Sequence, residues 1–81
     1  MPTTDFSGQD IVKVLRKHEY RAIGRKGSHV QLRYEHPETG EVRNVTVPMY
    51  DRIDVDVLQD IADQCGANDF RKWCEWIDQN C

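Results

Sequence analysis

Ile11, Val12, Val14 and Leu15 place apolar side chains at helical spacing, behind Ser7 and an acid three residues further on, Asp10. The Ser7 hydroxyl can accept a first-turn amide, and Asp10 sits at the positive end of the helix dipole. Arg16 and Lys17 fall near the other end, where cations are favoured. This pattern predicts a helix from about Gly8 to His18. Three strands follow. Tyr20 to Arg25 is the first, running into a turn at Gly24-Arg25-Lys26-Gly27. Ser28 to Glu35 alternates strictly, with Val30, Leu32 and Tyr34 on one face and His29, Gln31, Arg33 and Glu35 on the other. Pro37-Glu38-Thr39-Gly40 is a turn signal, and Val42 to Val47 is a third strand closed by Pro48, which has no ladder proton to give. Short turns between consecutive strands imply an antiparallel meander.

The remainder is helical in period. Asp54 can cap a helix carrying Val57, Leu58, Ile61, Ala62 and Cys65, with Gly66 as its stop. Asn68 can cap a last, short helix carrying Phe70, Trp73, Cys74 and Ile77. Trp73 and Trp76 are near neighbours on that helix and read as core rather than as an aromatic binding box. The expectation is an α+β domain of order helix, three strands, helix, short helix. Its three-stranded antiparallel sheet has one face covered by helices and the other left to water.

With 81 residues there is room for one core, so residues 1–81 are expected to form a single domain and no large catalytic fold fits. No apolar run approaches the roughly 20 residues of a membrane span. Met1-Pro2-Thr3-Thr4-Asp5 lacks the basic and apolar regions of a signal peptide, so a cytoplasmic protein is expected. Cys65, Cys74 and Cys81 are odd in number and cannot close a disulfide framework. Reduced thiols that pack helices are the expectation for Cys65 and Cys74. The cysteines form no C-x-x-C and His18, His29 and His36 are scattered, so no metal or other cofactor is expected.

Charge changes the picture in one place. The net charge of −3 argues against general nucleic-acid binding, but its distribution is uneven. Residues 1–50 carry eight Lys/Arg against six Asp/Glu, whereas residues 51–81 carry three against eight. From Lys13 to Arg33 seven cations (Lys13, Arg16, Lys17, Arg21, Arg25, Lys26, Arg33) accompany one acid, Glu19. Such a stretch can meet phosphate on an otherwise acidic protein, or can simply be a solvated helix face followed by a charged turn. His29 follows the glycine turn, beside Arg25 and Lys26, in the polar phase of its strand. An imidazole there can move a proton in phosphodiester cleavage while cations hold the phosphate. His18 reads as a helix-end residue and His36 as part of a turn.

Ser7-Gly8 at the first helix, Gly27-Ser28-His29 before the alternating strand, and Val45-Thr46-Val47-Pro48 after it occur in an order that resembles the HicA (YcfA-like) toxin family. The resemblance continues through Leu58, Ile61 and Gly66 to the last helix with Phe70, and covers roughly residues 6–78. It implies an mRNA interferase on a fold like that of double-stranded-RNA-binding domains, with His29 as the catalytic residue. It also implies a HicB-like antitoxin that binds over the active surface. Tyr50 stands where family members commonly place a second histidine. A phenol donates a hydrogen bond but is a poor base at neutral pH, so Tyr50 is a candidate auxiliary donor.

The leading expectation is therefore an endoribonuclease toxin acting on mRNA. His29 is its acid–base group, Arg25, Lys26 and Arg33 hold phosphate, and Ser28 shapes the turn. The free protein is expected to be monomeric. A non-catalytic RNA-binding module of the same fold would use the same cations to follow backbone phosphates. A third possibility is a protein-interaction domain whose acidic helices take a basic partner.

Overall fold

Ser7 closes a capping box with Asp10: the Asp10 amide donates to Ser7 Oγ at 3.1 Å, and the Ser7 amide donates to Asp10 Oδ2 at 3.1 Å. That box starts helix α1, Gly8–Lys17, in a computed structural model that describes residues 5–81. The expectation of no signal peptide at Met1–Thr4 falls outside the described residues. Strands β1 (Arg21–Lys26), β2 (His29–Glu35) and β3 (Val42–Pro48) follow, then helices α2 (Val55–Gln64) and α3 (Phe70–Asn80). The sheet is antiparallel in the order β1-β2-β3, as the short turns require.

Val30, Leu32, Val45 and Val47 are buried on one face of the sheet. They meet Ile11, Val14 and Leu15 from α1, Leu58 and Ile61 from α2, and Trp73, Cys74 and Ile77 from α3 in one hydrophobic cluster. No charged side chain is buried among the described residues. The opposite face carries His29, Gln31, Arg33, Asn44 and Thr46, all exposed or half-buried. The chain is thus an α+β fold with one open sheet face.

Glu19 reverses the chain between α1 and β1 with φ 75°, in the left-handed region, while the amides of His18 and Tyr20 both donate to the Leu15 carbonyl. His36 organises the β2–β3 turn, its Nδ1 accepting the amides of Glu38 at 3.1 Å and Thr39 at 3.2 Å. His18 packs its ring 4.7 Å from that of Trp76, which ties the end of α1 to α3. Cys65 and Cys74 are buried free thiols, and Cys81 is an exposed one.

Several boundaries differ from the sequence reading. The first turn is the pair Gly27-Ser28 alone, because β1 continues through Gly24, Arg25 and Lys26 to the end of its ladder with β2. The cap of α3 is Asp69 rather than Asn68, its carboxylate accepting the Lys72 amide at 3.2 Å. Asp54 occupies the cap position of α2 without making a side-chain bond. The terminal helix reaches 11 residues, against 10 for each of the others. It extends because Trp73, Cys74 and Ile77 all find core beneath them.

Candidate functional site

The ladder register sorts the candidate residues by face, since directly paired residues project to the same side of a sheet. Lys26 pairs with His29, and His29 pairs on its other side with Pro48. These residues form the first row of the open face. Gly24, Gln31 and Thr46 form the second, and Arg21, Arg33 and Asn44 the third. Arg25 belongs to the intervening row with Val30 and Val47, on the helix-covered side at the sheet's exposed edge. Its Nε donates to the Gly27 carbonyl at 3.1 Å, so Arg25 braces the turn. Of the predicted phosphate-binding cations, only Lys26 shares the row of His29. Arg33 shares the face but stands four residues along the strand.

The phase of β1 is set by a bulge. Ala22 pairs with Leu32 and Gly24 with Gln31, which leaves Ile23 without a partner and 54% exposed. Without that extra residue Arg21 and Ala22 would exchange faces, whereas Arg25 and Lys26 are held in phase by the two-residue turn. The turn itself has Gly27 at φ 61°, whereas Ser28 has no positive φ. Positive φ at the first central residue alone is the sign pattern of a type II′ hairpin, whose twist matches that of the flanking strands. Ser28 thus occupies the second turn position, and its carbonyl accepts the Met49 amide at 2.6 Å.

Tyr50 enters from beyond β3. Its ring centroid lies 6.1 Å from that of His29 at an interplanar angle of 76°, an edge-on contact. The Tyr50 carbonyl accepts the Gly8 amide at 2.9 Å, so the start of α1 holds the segment that carries the phenol. Gly8 is required at that crossing. A Cβ there would overlap the Pro48 carbonyl and lie 2.7 Å from Met49 Cα. Half-buried His29 is thus flanked by Lys26 from β1 on one side and by the 50%-exposed Tyr50 beyond β3 on the other. A positive charge, an imidazole and a phenol hydroxyl follow one another along this edge of the open face, a set of groups chemically suited to an oxyanion or phosphodiester.

The other polar clusters are structural. Arg43 donates to the Cys65 carbonyl, pairs with Glu41 at 3.5 Å and lies 6.0 Å from the centre of the Tyr34 ring. Burial, reinforced by the neighbouring Cys65, pushes the Tyr20 phenol up to about 12. Burial likewise raises the Cys65 and Cys74 thiols, which makes them poor nucleophiles. Among the described residues no three His, Cys, Asp or Glu side chains gather where they could hold a metal ion, and no helix is long and apolar enough to cross a membrane.

Sequence reasoning missed Arg21 and Gly24 as features of the open face, and Ile23 as the bulge in β1. An isoleucine beside a glycine in a short strand was the one local signal of a bulge. The pairing of Arg21 with Arg33 leaves no local signal at all.

The family model for the HicA toxin of bacterial toxin–antitoxin systems matches residues 8–67, from the first residue of α1 to just beyond α2. No curated protein and no solved structure matches the chain. The matched stretch contains all three strands, the Gly27-Ser28 turn, His29 and Tyr50, and leaves out α3. The chain belongs to the HicA toxin family of bacterial toxin–antitoxin systems.

Proposed function

We propose that this toxin is an endoribonuclease, an mRNA interferase that cleaves single-stranded mRNA in the cytoplasm through His29. The observation that carries this reading is His29, flanked by Lys26 and Tyr50, on a sheet face that no helix covers. RNA contains its own nucleophile. Neutral His29 accepts the proton of a ribose 2′-hydroxyl as that oxygen bonds to the adjacent phosphorus. The bond from phosphorus to the 5′-oxygen breaks, and the leaving oxygen takes a proton from Tyr50, water or an imidazolium. The products are a 2′,3′-cyclic phosphate and a 5′-hydroxyl. Lys26 stabilises the charge that grows on the non-bridging oxygens.

Membership of the family implies a cognate antitoxin. In this reading the antitoxin is a HicB-like protein that covers the open face and presents acidic groups to Lys26 and its neighbours. The free toxin is a monomer. The decisive experiment is incubation of purified RNA with the wild-type protein and with His29→Ala in the presence of a chelator. Cleavage by the wild type alone supports the reading. Shifted but intact RNA with both proteins would favour the non-catalytic binding module.

A further inference from the structure

Arg21 and Arg33 stand directly opposite each other across the β1–β2 ladder. Like charges in that arrangement repel, and a sheet gains nothing from them unless an anion lies between. Neither guanidinium makes a hydrogen bond or ion pair with any described residue. Four residues of strand separate their row from that of His29, about 13 Å at roughly 3.3 Å per residue. One phosphate cannot touch both rows.

Between the rows lies Gly24, where only Gln31 and Thr46 project. Gly24 has no positive φ, and a Cβ there would meet nothing nearer than Gln31 Oε1 at 3.5 Å. The fold therefore has room for a side chain at this position and does not require glycine. A missing side chain on the open face of a strand lets another backbone approach closely. Beyond the arginines Glu35 projects from the same face of β2, paired with Val42, and places a negative charge at the far end.

We propose that Arg21 and Arg33 form a second phosphate subsite, at which a single RNA strand laid along β2 across the Gly24 gap is gripped at a phosphate other than the one cleaved. This rests on the RNA reading above and adds that substrate length matters: the strand must reach from the His29 row to the Arg21–Arg33 row.

The test uses 2′-O-methyl oligoribonucleotides, which lack the 2′-hydroxyl nucleophile and stay intact, in a series lengthened from a dinucleotide. Wild-type affinity, followed by fluorescence anisotropy, should rise in a step once the strand spans both rows. The Arg21→Gln, Arg33→Gln double variant should abolish the step, weaken long oligonucleotides about tenfold, and leave the shortest ones unchanged. The log–log salt slope for long oligonucleotides should flatten by about 0.7 per lost contact. Gly24→Val, which closes the gap without touching a charge, should also remove the step, with thermal melts confirming that each variant is folded. Equal weakening of short and long oligonucleotides, or no weakening of either, would overturn the subsite while leaving His29-dependent cleavage standing. Normal RNA binding by the double variant together with weakened antitoxin binding would assign the row to the protein partner and overturn it too. Failure of the wild type to bind any oligonucleotide at low salt would remove both the subsite and the RNA reading.

Discussion

Lys26 and His29 are the last pair of the β1–β2 ladder, opposite each other across the two-residue turn Gly27-Ser28. A loop that short leaves the register no slack, so the ammonium and the imidazole stay on one face at a separation set by the strand spacing. Arg25, one residue earlier, projects to the other face because the side-chain period of a strand is two.

Lys26→Ala should therefore lower kcat/KM for RNA cleavage by about ten- to a hundredfold. It should also flatten the salt dependence of binding by about 0.7 in log–log slope. Arg25→Ala should leave the slope unchanged and act, if at all, through the turn it braces at the Gly27 carbonyl. Equal losses in the two variants would show that both cations reach the same phosphate.

Gly8→Ala tests the link between the first helix and the site. The added methyl must displace the Pro48–Met49 backbone, with Met49 Cα only 2.7 Å away. A backbone obstacle cannot swing aside, so a loss of roughly 1–3 kcal/mol is expected in denaturant unfolding. The Gly8 amide also holds the Tyr50 carbonyl. In the folded fraction, the edge contact between Tyr50 and His29 should loosen, visible as a shift of the His29 ring resonances.

The order of the elements was legible because each was marked locally: Ser7 with Asp10 at the start of α1, the alternation through Val30 and Leu32, and the glycine that ends α2. His29 was legible for the same reason, since its phase within β2 depends only on its own strand. The partner strand was not. The two-residue turn sets Arg25 on the side of Val30, and the bulge at Ile23 brings Arg21 to the open face opposite Arg33 only once β1 and β2 have paired. Register is a property of two strands, and no window along one of them contains it. The nearness of Tyr50 to His29 likewise comes from the crossing of α1 over the exit of β3, and only family resemblance pointed to it in advance.

Tyr20 supplies one part of the alkaline pH dependence. Its phenol titrates at about 12 in the folded chain against 10.0 for an ordinary tyrosine, chiefly because the ring is buried. The protonated, neutral form is the one the fold favours. The folded pKa exceeds the unfolded one, so this contribution is complete below pH 10.0 and is lost as pH rises through about 12. Unfolding free energy measured across that window should fall with pH in the wild type, and the fall should be smaller in Tyr20→Phe, where the raised Cys65 and Cys74 thiols still contribute with the same sign. An identical alkaline slope in both proteins would place the sensitive group elsewhere.

Antitoxin docking should be legible in amide exchange. A partner that covers His29 and the cationic turn should slow exchange over residues 24–33 when the free and bound toxin are compared. The terminal helix, on the far side of the core from the open face, should change little. Protection confined to residues 66–81 would put the antitoxin on α3 and leave the active surface free in the complex.

His29 itself separates chemistry from stability. It is half-buried on the open face, in the opposite phase to Val30 and Leu32, so truncating it removes little from the core. His29→Ala should change stability by no more than about 0.5 kcal/mol. The same change removes the group that accepts the 2′-hydroxyl proton, and cleavage should fall by about 10²–10⁴-fold. Leu32→Ala should behave in the opposite way. Leu32 is fully buried, and its loss should cost about 2–5 kcal/mol, with activity declining only in proportion to the unfolded fraction. His18→Ala and His36→Ala are controls of another kind, for His18 packs on Trp76 and the His36 ring bonds its own turn. Both should lose some stability and keep most of their activity per folded molecule. Tyr50→Phe should fall between, slowing cleavage by about tenfold if its hydroxyl hydrogen-bonds the reacting phosphate. Wild-type cleavage by a folded His29→Ala protein would end the catalytic assignment, because no other imidazole stands on the open face.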